Sequence, residues 1–250
     1  MYRRMLIRPL KWGGFSLVEL MISMLMGIIV MAVLLRMYQS NSQSARFKHA
    51  ILKVQENGRF ATDVISRTVR MAGYDNPMTA TVVSAPLING SVSHGGALIS
   101  GQTLKPKADT LSIRYEGGTD IRDCQGQFVA AGDWVTNMYG ITPDNNLVCA
   151  TFTNNSGSVS NATRLAEGVE DMKVLYGEDI DNTGDINRYV FASVVNDWTK
   201  VLSLQISLLV NSIDNALLED DTICLGCVIF NGTSDLLVRQ EFQTTIEVRN

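Results

Sequence analysis

Histidine is scarce in this chain: only His49 and His94 occur in 250 residues. His49 falls on an amphipathic helical stretch and His94 in a glycine-rich loop, so neither has a catalytic partner nearby in sequence. The chain also lacks a nucleophile elbow, a phosphate loop, a zincin motif and a convincing acid pair. Together these absences argue against an enzyme, and no cofactor is expected. No basic stripe runs through the body of the chain, which argues against nucleic acid as a direct ligand. Acidic residues are absent from residues 1–14, where Arg3, Arg4, Arg8 and Lys11 give +4. The whole chain is −4, so the remaining residues carry −8.

What is there begins at Gly14-Phe15-Ser16-Leu17-Val18-Glu19. From Phe15 to Leu35 the only strongly polar residue is Glu19. At about 1.5 Å per residue this run makes roughly 31 Å of helix, enough to cross a hydrocarbon core. A basic head, an apolar run and an acidic body fit a cytoplasmic tip, a span of residues 15–35 and an exported domain. A carboxylate in such a span costs about 2.5–3.5 kcal/mol at mid-bilayer, which makes Glu19 a candidate functional residue. A secretory signal would carry a small-x-small cleavage site after its apolar core. Here the small pair, Gly13-Gly14, lies before the core instead. Cleavage there would leave the apolar segment on the mature protein.

That arrangement resembles the class III signal of type IV pilins and pseudopilins. The resemblance implies that a prepilin peptidase removes residues 1–14, cutting between Gly14 and Phe15, and N-methylates Phe15. It also implies that Glu19 pairs with the N-terminus of a neighbouring subunit as the chain enters a fibre. Within one subunit Phe15 and Glu19 are i and i+4 and could pair with each other. Major pilins often carry a helix-breaking proline where this chain has Arg36; Gly27 could soften the helix instead.

Beyond Leu35 the helical period continues through Phe47, Ala50, Ile51, Val54, Gly58, Ala61, Val64, Ile65, Thr68, Val69 and Ala72. Lys48, Lys53, Glu56, Arg59, Asp63, Arg67 and Arg70 take the other face, which reads as solvated, with a lipid headgroup or a partner for its basic residues as the alternative. Gly73 supplies a C-cap and Pro77 rules out continuation, so one helix spans 15–73. The body is 74–250. Tyr74–Ala108 reads as a connector with at most one small strand or helix. Strands are expected at Thr110–Tyr115, Trp134–Tyr139, Leu147–Phe152, Glu170–Gly177, Lys200–Asn211 and Gln240–Arg249. A long helix packed on an antiparallel sheet is an α+β architecture.

If the body is exported, its four cysteines read as two disulfides with three connectivities open. Cys124–Cys149, closing a long excursion, and Cys224–Cys227, closing a four-residue loop, are preferred. The second pair also resembles a redox or half-zinc motif, but no further ligand pair or βαβ setting accompanies it. Asp179, Asp181 and Asp185, with Gly184, resemble part of a calcium loop, but Val190 stands where the closing Glu belongs. A turn between two strands is the expectation, and calcium the alternative.

Within the pilin family the layout is similar to PilW-type minor pilins. The pieces are Asp123-Cys124-Gln125-Gly126, Leu147-Val148-Cys149, Leu175-Tyr176-Gly177, Trp198 before a long strand, and Glu247-Val248-Arg249-Asn250. This implies a minor subunit of a type IV pilus needed for assembly, and so for motility, adhesion or DNA uptake. Its partners would be other minor pilins, the major pilin and a tip adhesin. It would sit in the inner membrane before assembly, with a cytoplasmic N-terminus, and in the surface pilus afterwards. A pseudopilin of type II secretion and an anchored periplasmic binding module are the alternatives.

Overall fold

A computed structural model describes residues 14, 16–74, 110–153, 160–195, 197–214 and 237–248, with 87–88, 223–225 and 228–230 described by backbone. The expectations for the leader, for Phe15, for most of the 74–108 connector, for Cys227 and for Arg249 fall outside these residues. The chain divides into two compact units, residues 1–46 and 47–250. Helix α1, Leu17–Arg70, begins in the first unit and ends in the second.

In the second unit, α1 buries Ala50, Val54, Gly58, Ala61, Ile65, Thr68 and Val69. Steps of three and four place these residues on one stripe. Small residues along it let strands approach closely. A Cβ on Gly58 would fall onto the Phe242 ring. The helix ends where the sequence indicates: Gly73 takes φ 72°, a left-handed conformation that favours glycine, and its N–H reaches the Arg114 carbonyl.

The strands form two main antiparallel sheets where the sequence pattern implied one. The first joins β1 (Leu87–Ile88), β2 (Leu111–Glu116), β3 (Trp134–Ile141), β4 (Asn146–Thr153) and β5 (Thr163–Glu167) in that order. The second includes β6 (Val169–Glu178), β7 (Arg188–Val190), β8 (Val201–Asn211) and β11 (Arg239–Glu247), ordered β11-β8-β6-β7. Strands β9 (Ile223–Leu225) and β10 (Val228–Phe230) pair antiparallel in a separate two-stranded sheet.

Alternation explains which faces meet. Leu204, Ile206, Leu208 and Val210 of β8 lie opposite Tyr176, Val174, Met172 and Val169 of β6, and all eight are buried. Leu111, Ile113 and Tyr115 of β2 and Val135, Tyr139 and Ile141 of β3 join the same core, with Ile65 and Val69 of α1. Strands β5 and β7 went unmarked in the sequence. Each is short and polar, and is defined by the neighbour it pairs with, so context outweighs propensity there.

Candidate assembly element and its supporting body

In the first unit α1 opens with a hydrogen bond from the Leu20 N–H to the Ser16 carbonyl, 3.1 Å. Glu19 lies in that first turn and is exposed. The Ser23 hydroxyl donates to the backbone carbonyl of Glu19 at 2.8 Å. Fifteen large apolar side chains from Leu17 to Leu35 are each at least 52% exposed. Leaving so much apolar surface in water would cost on the order of 20 kcal/mol. The helix is long and apolar enough to cross a membrane. An all-round apolar helix needs lipid or other helices around it. One carboxylate in such a surface is a point where a cation from outside the segment can bind.

The body holds together through bonds that cross between elements. Cys124 and Cys149 form a disulfide with Cα atoms 6.4 Å apart, an ordinary span for the bond. It ties the loop after β2 to β4, as the preferred pairing expected. Within that loop the Asp123 carboxylate accepts from the Gln125 and Gln127 N–H groups, and Gln125 Nε2 donates to the Cys149 and Asn161 carbonyls. The Tyr115 hydroxyl donates to the Arg122 carbonyl at 2.9 Å and accepts from Asn137. Deeper in, the hydroxyls of Thr68 on α1 and Tyr139 on β3 are 2.7 Å apart. Burial pushes the phenols of Tyr115 and Tyr139 well above their usual range. Cys224 lies in β9, opposite Ile229.

The acidic loop follows β6. Asp179 accepts from the Thr183 and Gly184 N–H groups, and Asp181 accepts from Thr183 and from Asn187 Nδ2. The Thr183 hydroxyl, helped by these other donors, holds the Asp181 carboxyl below the usual carboxylate range. Two of the three carboxylates are therefore turned inward to cap a turn, leaving them fewer free lone pairs for a cation. Among the described residues no group of three or more His, Cys, Asp or Glu could hold a metal ion.

A feature the sequence did not signal is the Arg239–Glu170 pair, at 2.7 Å, with both side chains largely buried. It joins β11 to β6 across β8. Its only sequence trace is a charge at the margin of each strand.

Residues 134–250 match the family model of PilW, the Type IV Pilus-assembly protein W. That match covers just under half of the chain. With its long apolar helix and antiparallel body, the chain has a type IV pilin-like fold. It is similar to the pilin-like protein PilA3 of Thermus thermophilus, 31% identical over 113 residues, which is 44% of this chain. The matched region spans 43% of the length of that relative. A solved type IV-like pilin from Thermus thermophilus has the same fold, with a TM-score of 0.51 at 12% identity. That match covers 78% of this chain and 95% of the other.

Proposed function

We propose that this type IV pilin-like protein is a minor subunit of a type IV pilus that acts in assembly. The observation that carries the reading is the exposed apolar first half of α1 with its single carboxylate, Glu19, four positions after Phe15 in the sequence. Such a surface has two compatible environments: a bilayer, and the helical core of a filament. A subunit that moves from one to the other keeps its apolar face covered throughout. In this reading a prepilin peptidase cleaves between Gly14 and Phe15 and methylates Phe15. The protein then waits in the inner membrane with its N-terminus on the cytoplasmic side. Glu19 pairs with the free N-terminus of a neighbouring subunit, and the low dielectric around the pair makes it a strong determinant of axial register.

Partners on this reading are other minor pilins, the major pilin and a tip adhesin, contacted outside the membrane through the body. The function requires no chemistry in the body, only stability and a correct surface. The test is Glu19→Val. Cleavage, methylation and body stability should match wild type while incorporation into filaments falls at least tenfold. Normal incorporation of Glu19→Val would overturn the reading.

A further inference from the structure

Strand β11 is the outermost strand of the second sheet and pairs only with β8 among the described residues. The pairing runs from Arg239 to Glu247 without a register shift, so this is a long, regular edge. Among the described residues the other edges of the two main sheets are short or bulged. Edge strand β1 is two residues long, and alongside it Gly73 and Tyr74 bond the β2 backbone at Arg114 and Glu116. Strand β7 is three residues long. At β5 the pairing is bulged, and the Asn57 side chain bonds the Glu167 carbonyl. Folded proteins protect their edges because an unpaired ladder invites another strand.

The direction of the β11 backbone can be read from one bond. The Val248 N–H donates to the Leu202 carbonyl of β8 at 2.8 Å. Backbone groups alternate along an antiparallel strand, so those of Ile246 and Thr244 also face β8. Those of Glu247, Thr245 and Gln243 face outward, and among the described residues nothing bonds them. Beside this stretch lies an open cleft of about 550 Å³ lined by Arg70, Thr245, Ile246 and Glu247. Arg70, in the last turn of α1, has no ion-pair partner among the described residues.

We propose that the β11 edge at Gln243–Glu247 is a docking site for an extended strand from a neighbouring subunit, with a carboxylate of that strand facing Arg70. Three outward N–H donors and three outward carbonyls demand an extended backbone, which a helix or a flat side-chain surface cannot supply. The unpaired guanidinium beside the edge sets the charge of the visitor and its register along β11. The inference rests on the assembly reading above, since that reading supplies the neighbouring subunit.

Thr245→Pro tests it. Proline deletes an outward N–H that takes no part in the β8 ladder, and edge strands tolerate proline for that reason. Thr245→Val keeps the N–H and is the control. In cells, Thr245→Pro should accumulate and resist trypsin like wild type, yet reduce surface filaments at least tenfold; Thr245→Val should leave them unchanged. Arg70→Glu should reduce filaments several-fold and Arg70→Lys should restore them. Glu19→Val is run alongside. If Glu19→Val removes filaments while folded Thr245→Pro does not, the strand site is wrong and the assembly reading stands. If neither variant reduces them, both fail.

Should Thr245→Pro misfold, amide exchange of the wild-type full chain decides. The segment 243–247 should exchange at least tenfold more slowly in the assembled complex than in detergent-solubilised single subunits. Equal rates would overturn the proposal. Self-association of the full chain in micelles that Thr245→Pro abolishes would assign the edge to a second copy and overturn the proposed occupant.

Discussion

Between Leu17 and Leu35 helix α1 buries no side chain, whereas between Ala50 and Val69 the same helix buries seven residues. The difference is one of pattern. The first half is apolar on every side, so no rotation of the helix could satisfy it with a single packed face. The second half confines its apolar and small residues to a stripe, and the chain itself supplies the strands that cover it. A stripe points to a partner within the fold, and an all-round apolar surface to one outside it. On the proposed reading, function follows the same line: the uncovered half is the part that passes from lipid to a filament core.

Substitutions should respond to that contrast. Ile65→Ala removes a fully buried side chain from the second half and should destabilise the body by about 2–5 kcal/mol. Ile28→Ala, in the first half, should leave body stability in detergent within about 0.5 kcal/mol of wild type. Chemical denaturation of both variants in the same micelles measures the difference. Equal losses would mean that the two halves share one cooperative unit.

Removing the disulfide between the loop after β2 and strand β4 comes next in size. The Cys124→Ser/Cys149→Ser double variant should lose about 3.5 kcal/mol, the loop-closure value for a bond between residues 25 apart. The first half of α1 should remain inserted in membranes throughout. A variant that unfolds at its ordinary denaturant midpoint would show that the hydrogen bonds of Asp123 and Gln125 already fix the loop.

The smallest effect concerns pH. Tyr115 and Tyr139 ionise above their usual value of about 10 because burial disfavours the phenolate. Their folded pKa values are raised, so their contribution to stability is complete below about pH 10. It declines as pH climbs past that point, because the unfolded tyrosines ionise first. Absorbance at the phenolate band should show two tyrosines that ionise only as the body unfolds. Ionisation of every tyrosine at ordinary pH in the folded protein would contradict the buried placement of both rings.

These contrasts also explain what could be read in advance. The helix stripe, the Gly73 cap and six strands were legible, because long periodic segments carry their own signal. Strand β8 showed it most clearly, with Leu204, Ile206, Leu208 and Val210 on one face. The division into two sheets was not legible, since alternation names a strand's faces without naming its neighbours. Strands β5 and β7 were hidden for a related reason: Thr163–Glu167 and Arg188–Val190 are strands because β4 and β6 pair with them. The acidic loop carries both of its sequence readings, a turn and a partial calcium loop. The spacing of Asp179, Asp181 and Asp185 resembles that of metal ligands, while the geometry directs Asp179 and Asp181 to N–H groups of their own turn. At the N-terminus, a short motif and an apolar run single out Glu19 as a candidate without tertiary information, and among the described residues Leu17–Leu35 bury no side chain.

The central claim is that the exposed half of α1 becomes the N-terminus of a processed, filament-forming subunit. Intact mass with N-terminal sequencing of the protein recovered from membranes tests it most directly. The account predicts a mature chain that starts at Phe15, carries one added methyl group, and keeps Glu19 as its fifth residue. A chain that retains residues 1–14, or one cut beyond Leu35 so that the apolar segment is lost, would contradict it.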